Sequence, residues 1–302
     1  MGSRGHPKPI SGILNINKPA GMTSHDVVAA VRRITGEKRV GHAGTLDPMA
    51  TGVLLVCLGQ ATRVTEYLMD APKRYRAGIV LGIATDTYDA EGRVTHRSPS
   101  VSFTRAQIEE ALSSFFGRIE QVPPLYSAIK HQGVPLYKLA RRGISVERKP
   151  RLVEIYDIEL IDWSSPLLTI EVECSKGTYI RSLAHDLGEK LGCGAHLREL
   201  VRLASGHFTL EDALTLEEFA ESFSQGRWRD LLHPLDEALF GFDAVVVDRD
   251  AEYRIRHGQQ IEWDGPVSTP LCRAYSQAGE LIGLLERDPR TGLWQPRKVF
   301  AN

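Results

Sequence analysis

The chain has few cysteines and no long apolar run, and these absences exclude several classes of protein. Its 302 residues include four scattered cysteines without a Cys-x-x-Cys pair, so neither a disulfide framework nor a zinc ribbon is indicated. No apolar stretch approaches the roughly 18 residues that a membrane helix needs. The first ten residues, MGSRGHPKPI, lack the apolar core of an export signal. We therefore expect a cytoplasmic protein that does not enter the membrane.

Nucleotide and metal motifs are also missing. The segment GCG at 192–194 lacks the third glycine of a dinucleotide fingerprint, and the chain contains no GK[ST] phosphate loop. Asp86 and Asp89 suggest a calcium loop, but neighbouring ligand positions hold Tyr88 and Ala90, and no glycine stands at the sixth position. We expect neither a metal nor an organic cofactor.

The formal charge of −1 conceals a marked asymmetry. Residues 1–151 carry 22 Lys and Arg against 12 Asp and Glu, whereas residues 152–302 carry 15 against 26. Basic residues of the first half are mixed with aromatics, which suits a surface that meets phosphates and stacks on bases. Alternatively, the two halves neutralise each other across an interface. The mixed residues are Lys73, Arg74 and Arg76 around Tyr75, and Lys130, Lys138, Arg141 and Arg142 near Tyr126 and Tyr137.

Periodicity and turn signals predict a mixed chain with a separate small β unit at its end. A capping box at Thr23 predicts a helix that closes at Gly36, and TRAQIEEALSSFFG predicts a second helix over 104–117. Residues 122–144 lack a clean period apart from a short basic helix near 136–142, which is typical of a long functional loop. From residue 243 onward, short strands recur in AVVV, QQIEW, PLCRAYS and ELIGLLE.

The stretch VGHAGTLDPMATGVL places a single acid, Asp47, on an unusual loop. Its glycines permit special backbone shapes, and Pro48 restricts the residue before it. An apolar run at 53–58 follows and predicts a buried strand. Asp47 is therefore held stiffly against a core, either as a functional carboxylate or as an Asx-type turn that only bonds nearby backbone.

Four side chains on separate segments could form a reaction site. Tyr179 and Arg181 are two residues apart, so on a strand they would share one face. Arg181 could then pair with Asp47 and keep it ionised. A fixed carboxylate can act as a nucleophile or stabilise a cationic sugar carbon, and Tyr75 and Tyr179 could sandwich a base. Alternatively, the tyrosines are ordinary strand residues and Arg181 makes a routine surface pair.

Six blocks of the chain, in order, resemble the TruB family of bacterial tRNA pseudouridine synthases, which isomerise uridine 55 in the T arm. The blocks are NKPAGMTSHDVV, VGHAGTLDPMATGVL, KRYRAGIVLG, TDTYDAEG, VPPLYSAIKHQGVPLYKLARRG and CSKGTYIRSLAHDLGEKLGCGAHLRELVRLASG. The resemblance implies an α+β fold in which helices flank a mixed, largely antiparallel central sheet. It also implies a catalytic domain at 1–240 and a small PUA-like RNA-binding β domain at 243–302.

The resemblance also assigns roles to particular residues. Asp47 matches the catalytic aspartate, Tyr75 the tyrosine stacked on the target base, and Arg181 the arginine paired with the aspartate. The remaining matches are Tyr179 and Leu200 in the pocket, His42 as the residue that fills the space left by the flipped uridine, and Lys18 and Arg39 near the site.

The implied partner is the T stem-loop of tRNA, bound by a monomer whose insertion at 122–150 closes over the RNA arm. A non-catalytic RNA-binding or RNA-folding protein would need the basic surface but not Asp47 together with Arg181. An aspartyl-phosphate transferase would need a different sequence after Asp47 than Pro48 and Met49. A guide-RNA-dependent relative is disfavoured because the insertion fits stand-alone recognition.

Overall fold

A computed structural model describes residues 10–127, 129–144 and 146–300. The prediction that no export signal is present concerns residues 1–10, of which 1–9 lie outside the described part. The strands, in chain order, are β1 (Gly12–Lys18), β2 (Val40–Ala43), β3 (Thr51–Leu58), β4 (Lys73–Leu81), β5 (Ile83–Thr85), β6 (Val94–Arg97), β7 (Gly117–Gln121), β8 (Lys130–His131), β9 (Val134–Pro135), β10 (Arg151–Ser164), β11 (Leu167–Cys174), β12 (Ala195–Ser205), β13 (Phe208–Thr209), β14 (Asp243–Val246), β15 (Leu271–Tyr275), β16 (Leu281–Arg287) and β17 (Trp294–Val299).

The helices are spread between these strands. They are α1 (Ser24–Thr35), α2 (Thr65–Asp70), α3 (Arg105–Ser113), α4 (Leu136–Arg141), α5 (Ile180–Lys190), α6 (Leu216–Ser224) and α7 (Arg249–Arg256), with 3₁₀ turns at Gly59–Arg63, Trp228–Leu231 and Leu235–Leu239. No helix in the part of the chain that the structure describes is long and apolar enough to cross a membrane.

The central sheet runs in the order β1-β3-β12-β4-β11-β10-β7, with β2 beside β3 and β13 beside β12. Its pairings are antiparallel except for the short parallel contact between β3 and β12. One face packs against α1, α3, α5 and α6. β3 is also covered on its other face, where Val53, Leu55 and Cys57 pack with Ala43 and Phe208, which explains its continuous apolar sequence.

A second sheet, in the order β14-β15-β16-β17, closes the chain around its own apolar core. The predicted fold class, a mixed and largely antiparallel central sheet with helices and a small C-terminal β unit, is confirmed. The two sheets are joined by a buried apolar group, here called the junction cluster, formed by Val64, Leu239, Leu271, Leu284 and Phe300.

Three local predictions need correction. The predicted strand QQIEW makes only an isolated bridge from Ile261 to Trp294, because Gly258 and the Asp264-Gly265-Pro266 turn leave it irregular. Helix α3 ends at Ser113, before the predicted 117, since Gly117 begins β7. Helix α7 was not predicted, because its strongly charged sequence buries only Ile255.

Truncating Leu284, which is fully buried in the junction cluster, should weaken both sheets together. Leu284→Ala should lower the free energy of unfolding by about 2–5 kcal/mol, through lost burial and the cavity left behind. Chemical denaturation followed by circular dichroism measures this change. Val246→Ala, at a side chain 60% exposed on the same small sheet, should change it by less than about 0.5 kcal/mol. Equal effects of the two substitutions would contradict the proposed packing.

Candidate active site

The loop that carries Asp47 connects β2 to β3 and is fastened to the core at several points. Ser24 Oγ of α1 accepts from the Leu46 amide at 2.9 Å, and Lys18 Nζ donates to the Pro48 carbonyl at 3.2 Å. Lys18 is fully buried, and its ammonium also donates to the carbonyls of Pro19 and Met22. The carboxylate of Asp47 is therefore presented from a fixed backbone, as the sequence predicts.

Arg181 holds that carboxylate directly. Its Nη2 donates to Asp47 Oδ1 at 3.1 Å, and its Nε lies 2.9 Å from Oδ2 at an angle too oblique for a hydrogen bond. No bond from the Asp47 carboxylate to local backbone is present among the described residues, so the Asx-turn alternative is wrong. Two nitrogens of one guanidinium therefore face the two carboxylate oxygens, which fixes the orientation of the Asp47 side chain.

The same guanidinium has further partners. Arg181 Nη1 lies 3.4 Å from Asp89 Oδ2, and Nη2 donates to the Tyr126 carbonyl at 2.9 Å. The side chains of Arg181 and Asp89 are 6% and 8% exposed. Asp89 therefore belongs to the site as a second acid on Arg181, rather than to a calcium loop.

The predicted strand placement of Arg181 is wrong. Arg181 lies in the first turn of α5, and Tyr179 is the residue that precedes this helix. Gln121 at the end of β7 fixes Tyr179, because its side chain donates to the Tyr179 carbonyl at 3.0 Å and accepts from the Tyr179 amide at 2.7 Å. These two hydrogen bonds fix the backbone of Tyr179 in its extended conformation, immediately before α5 begins at Ile180.

A cavity of about 1160 Å³ opens over this pair. Of the predicted site residues, Asp47, Tyr75, Tyr179, Arg181 and Leu200 line it. Lys18, His42 and Arg39 do not: Lys18 lies beneath the loop, His42 stands on β2 against His25, and the Arg39 side chain is exposed just before β2. The structure therefore assembles the core of the predicted site and places these three outside its walls.

Burial governs the electrostatics of the cavity. The Asp47 side chain is 34% exposed, and desolvation by the surrounding protein raises the pKa of its carboxyl group while Arg181 opposes the rise. Burial also lowers the pKa of Lys18 to about 8 and raises the pKa of Tyr75. At neutral pH, Tyr75 is a neutral phenol.

Strand alternation places Arg74 and Arg76 on the face of β4 opposite Tyr75, whereas Lys73 shares the Tyr75 face and also lines the cavity, so the three basic residues do not form one surface around the ring. Lys73 is buried and donates to the Leu68, Met69 and Ala71 carbonyls at the end of α2. Arg74 and Arg76 both bind Glu171 on the solvent side of the sheet. In the insertion, the side chains of Lys130, Tyr137 and Arg141 lie outside the described part.

Comparison with known proteins places the chain in a family. Residues 32–180 match the model for the TruB family pseudouridylate synthase N-terminal domain, and residues 181–240 match the tRNA pseudouridylate synthase B C-terminal domain. The chain is 48% identical over 292 residues to tRNA pseudouridine synthase B of Dehalococcoides mccartyi, covering 96% of this chain and 97% of the relative. It is 42% identical over 290 residues to the protein of the same name from Geobacter sulfurreducens, covering 94% and 95%.

The chain belongs to the TruB family of pseudouridylate synthases. Its fold also resembles a box H/ACA ribonucleoprotein solved with a substrate RNA containing 2′-deoxyuridine, with a TM-score of 0.74 and 26% identity over 96% of this chain and 85% of that one. An archaeal box H/ACA ribonucleoprotein complex gives a TM-score of 0.73 at 26% identity, over 96% and 86%. The predicted family is thereby confirmed.

Two residues of the site in this TruB-family chain were not predicted from the sequence patterns. Asp89 lies in the TDTYDAEG block, but its partner is 92 positions away, so spacing alone does not reveal the contact. Arg202 is 1% exposed, lines the cavity and donates to the Val53 and Gly44 carbonyls. The signal for Arg202 was present, because it stands two residues after Leu200 on β12 and so shares its face.

Gly52 sets the distance between β3 and β12 at the cavity floor. It has φ +99°, and an added Cβ would come within 2.3 Å of the Arg202 carbonyl oxygen. Gly52→Ala should therefore lower the free energy of unfolding by at least about 2 kcal/mol more than Gly36→Ala does. Gly36 is the matched control, since it has φ +69° but open space around its Cβ position. Denaturant titration compares the two, and equal losses would refute the close-approach explanation.

Proposed function

We propose that this chain converts uridine 55 in the T arm of tRNA to pseudouridine. Membership of the TruB family supports an isomerase that acts on uridine in tRNA, and the curated relatives named tRNA pseudouridine synthase B support the substrate. The observation that carries the proposal is the Asp47 carboxylate, held by buried Arg181 on the wall of a cavity that Tyr75, Tyr179 and Leu200 also line. We expect the chain to act in the cytoplasm as a monomer without a cofactor.

The reaction exchanges one glycosidic bond for another. The C1′–N1 bond breaks, the uracil turns within the cavity, and C5 bonds to C1′ while the C5 proton leaves and N1 gains a proton. Asp47 either attacks C1′ or removes the 2′ proton to form a glycal, and both routes need an ionised carboxylate. Arg181 favours that ionised form by opposing the effect of burial.

The target uridine must leave the helix to enter the cavity, which costs unstacking energy. We propose that His42, on β2 beside the catalytic loop, fills the space left in the RNA stack, with Arg39 on nearby phosphates. Tyr75 would stack on the uracil face, and as a neutral phenol it would not act as a base without first losing its proton. Tyr179 and Leu200 would enclose the ring, and Lys18 would support the loop.

Residues 122–150 and 243–302 would supply the remaining contacts with the T stem-loop. The beginning of the insertion is bound to α5, since the Val122 carbonyl accepts from Ser182 Oγ at 2.7 Å and the Tyr126 carbonyl accepts from Arg181. This supports an insertion that closes over bound RNA next to the catalytic pair. We propose that 1–240 forms the catalytic domain and that 243–302 is a PUA-like RNA-binding domain.

The main alternative, a non-catalytic RNA-binding or RNA-folding protein, gives no reason for a buried arginine that orients an acid toward a cavity. Incubating pure protein with an unmodified tRNA transcript and mapping modified uridines tests the proposal. Bare T-arm transcript, added without other RNA, separates stand-alone action from dependence on a guide RNA. Modification at another position, or none, would overturn the assignment to uridine 55.

Replacing Asp47 should abolish chemistry without abolishing binding. Asp47→Asn keeps an oxygen that can accept from Arg181 but removes the ionised carboxylate, so the single-turnover rate should fall by roughly 10⁴-fold. Tritium release from 5-labelled uridine measures the rate, and filter binding should show tRNA affinity within about threefold of wild type. Asp70→Asn is the control, since Asp70 also lines the cavity but pairs with Lys176 at 58% exposure. Full turnover by Asp47→Asn would refute the proposal.

The rate should also report the raised pKa of Asp47. As pH falls through that pKa the carboxylate gains a proton and activity is lost, so the acid midpoint of the single-turnover rate should lie above about 3.9, the ordinary value for aspartate. Arg181→Gln removes the cation that lowers this pKa and should move the midpoint to higher pH. Rates at saturating tRNA across a pH series provide the test. An acid midpoint at or below the ordinary value would contradict the electrostatic description.

A further inference from the structure

Tyr88 has an unusual backbone conformation between two site residues. Its φ is +65°, in the left-handed region, where the side chain of a non-glycine residue is crowded by its own backbone. Its carbonyl accepts from the Leu197 amide of β12 at 2.9 Å, which fixes this strained turn to the central sheet. Glycine or asparagine would adopt this backbone more readily, so the tyrosine ring must contribute something that offsets the strain.

The Tyr88 ring contacts the side chains of His185 and Arg148, and the three together are here called the Tyr88 stack. The Tyr88 ring is parallel to the His185 ring, with centroids 3.9 Å apart and 7° between the planes. The Arg148 guanidinium also lies over the Tyr88 ring, 6.0 Å from its centroid. Burial and the Arg148 charge lower the pKa of His185, while Glu189 opposes them, so His185 is a neutral ring in the stack.

The neighbours of Tyr88 both contact Arg181. The Thr87 carbonyl lies 3.5 Å from Arg181 Nη1, and Asp89 Oδ2 lies 3.4 Å from the same nitrogen. His185 stands one helical turn after Arg181 on α5. The ring of Tyr88 therefore fixes the segment 87–89 against the helix that carries Arg181.

Arg148 connects the stack to the insertion. It lies near the end of the insertion and donates to the Pro123 carbonyl near its beginning at 3.1 Å, so it joins both ends. Its Nη1 is also 3.5 Å from the Tyr88 hydroxyl. The base of the insertion and the Asp47–Arg181–Asp89 group are thus joined through one aromatic ring.

We propose that Tyr88 is a positioning residue for the isomerisation, which links the base of the insertion to the orientation of Arg181 and hence of Asp47. This inference rests on the proposed function, since it concerns the same reaction. Tyr88 does not line the cavity, so it acts through Asp89 and Arg181 rather than by touching the base. Losing the ring should slow chemistry more than it weakens binding.

The test measures the single-turnover rate at saturating tRNA, the tRNA dissociation constant and the melting temperature of each variant. Tyr88→Gly suits the backbone but removes the ring, so its rate should fall about tenfold, the scale of one aromatic and one cation–π contact. Tyr88→Phe keeps the ring and should stay within about twofold of wild type. Arg148→Ala should also slow the reaction, and it decides the question if Tyr88→Gly does not fold. Arg229→Ala removes another cation–π contact, 4.8 Å from the Trp228 ring centroid, at an exposed residue that does not line the cavity, and is the control expected to leave the rate unchanged.

The double variant Tyr88→Gly with Arg148→Ala should be no slower than the slower single variant, because residues that act as one unit give non-additive losses. The proposal is overturned if both single variants keep wild-type rates, if their losses lie only in tRNA affinity, or if the losses multiply in the double variant. Failure of the wild-type protein to form pseudouridine would instead reject the proposed function, which separates the two claims.

Discussion

The buried guanidinium of Arg181 is the interaction on which the site depends. Removing a cation from water is costly unless its donors are paired, and Arg181, 6% exposed, is surrounded by two carboxylates and two carbonyls. These partners come from the β2–β3 loop, the β5–β6 loop and the beginning of the insertion, while Arg181 itself comes from α5. The partners of Arg181 are therefore complete only when these four segments are in place together.

The second constraint is the position of β12 between β3 and β4. Its parallel contact with β3 at Gly52 brings the Asp47 loop beside the face that carries Leu200 and Arg202. Its antiparallel register places Arg202 opposite Tyr75 on β4. The Asp47 loop, Tyr75 and the cavity floor are consequently held by backbone hydrogen bonds as well as by the Arg181 side chain.

The sequence predicted the features of this fold that depend on residues close together in the chain. The buried strand at 53–58, the capped helix after Thr23 and the constrained loop at Asp47 each depend on neighbouring residues, and each could be read from spacing. The helical position of Arg181 could not, because the helix starts after a residue without a side-chain cap and is set by Gln121, 58 positions away. The site positions of Asp89 and Arg202 were not predicted for the same reason, since contacts with residues distant in the chain place them there. Resemblance to the family supplied the grouping of Asp47, Tyr75 and Arg181 that periodicity left open.

Buried basic residues near the cavity favour the ionised form of Asp47, which burial alone would disfavour. Lys18, Lys73 and Arg202 are all buried, and in the described part their nitrogens bind carbonyl oxygens rather than carboxylates. Their charges are therefore not cancelled by adjacent acids, and Lys18 joins Arg181 in lowering the pKa of Asp47 while burial raises it. The same burial lowers the pKa of Lys18 and of Lys73 to about 8. An ionised Asp47 and protonated lysines therefore coexist only between the raised pKa of the acid and the lowered pKa of the two lysines.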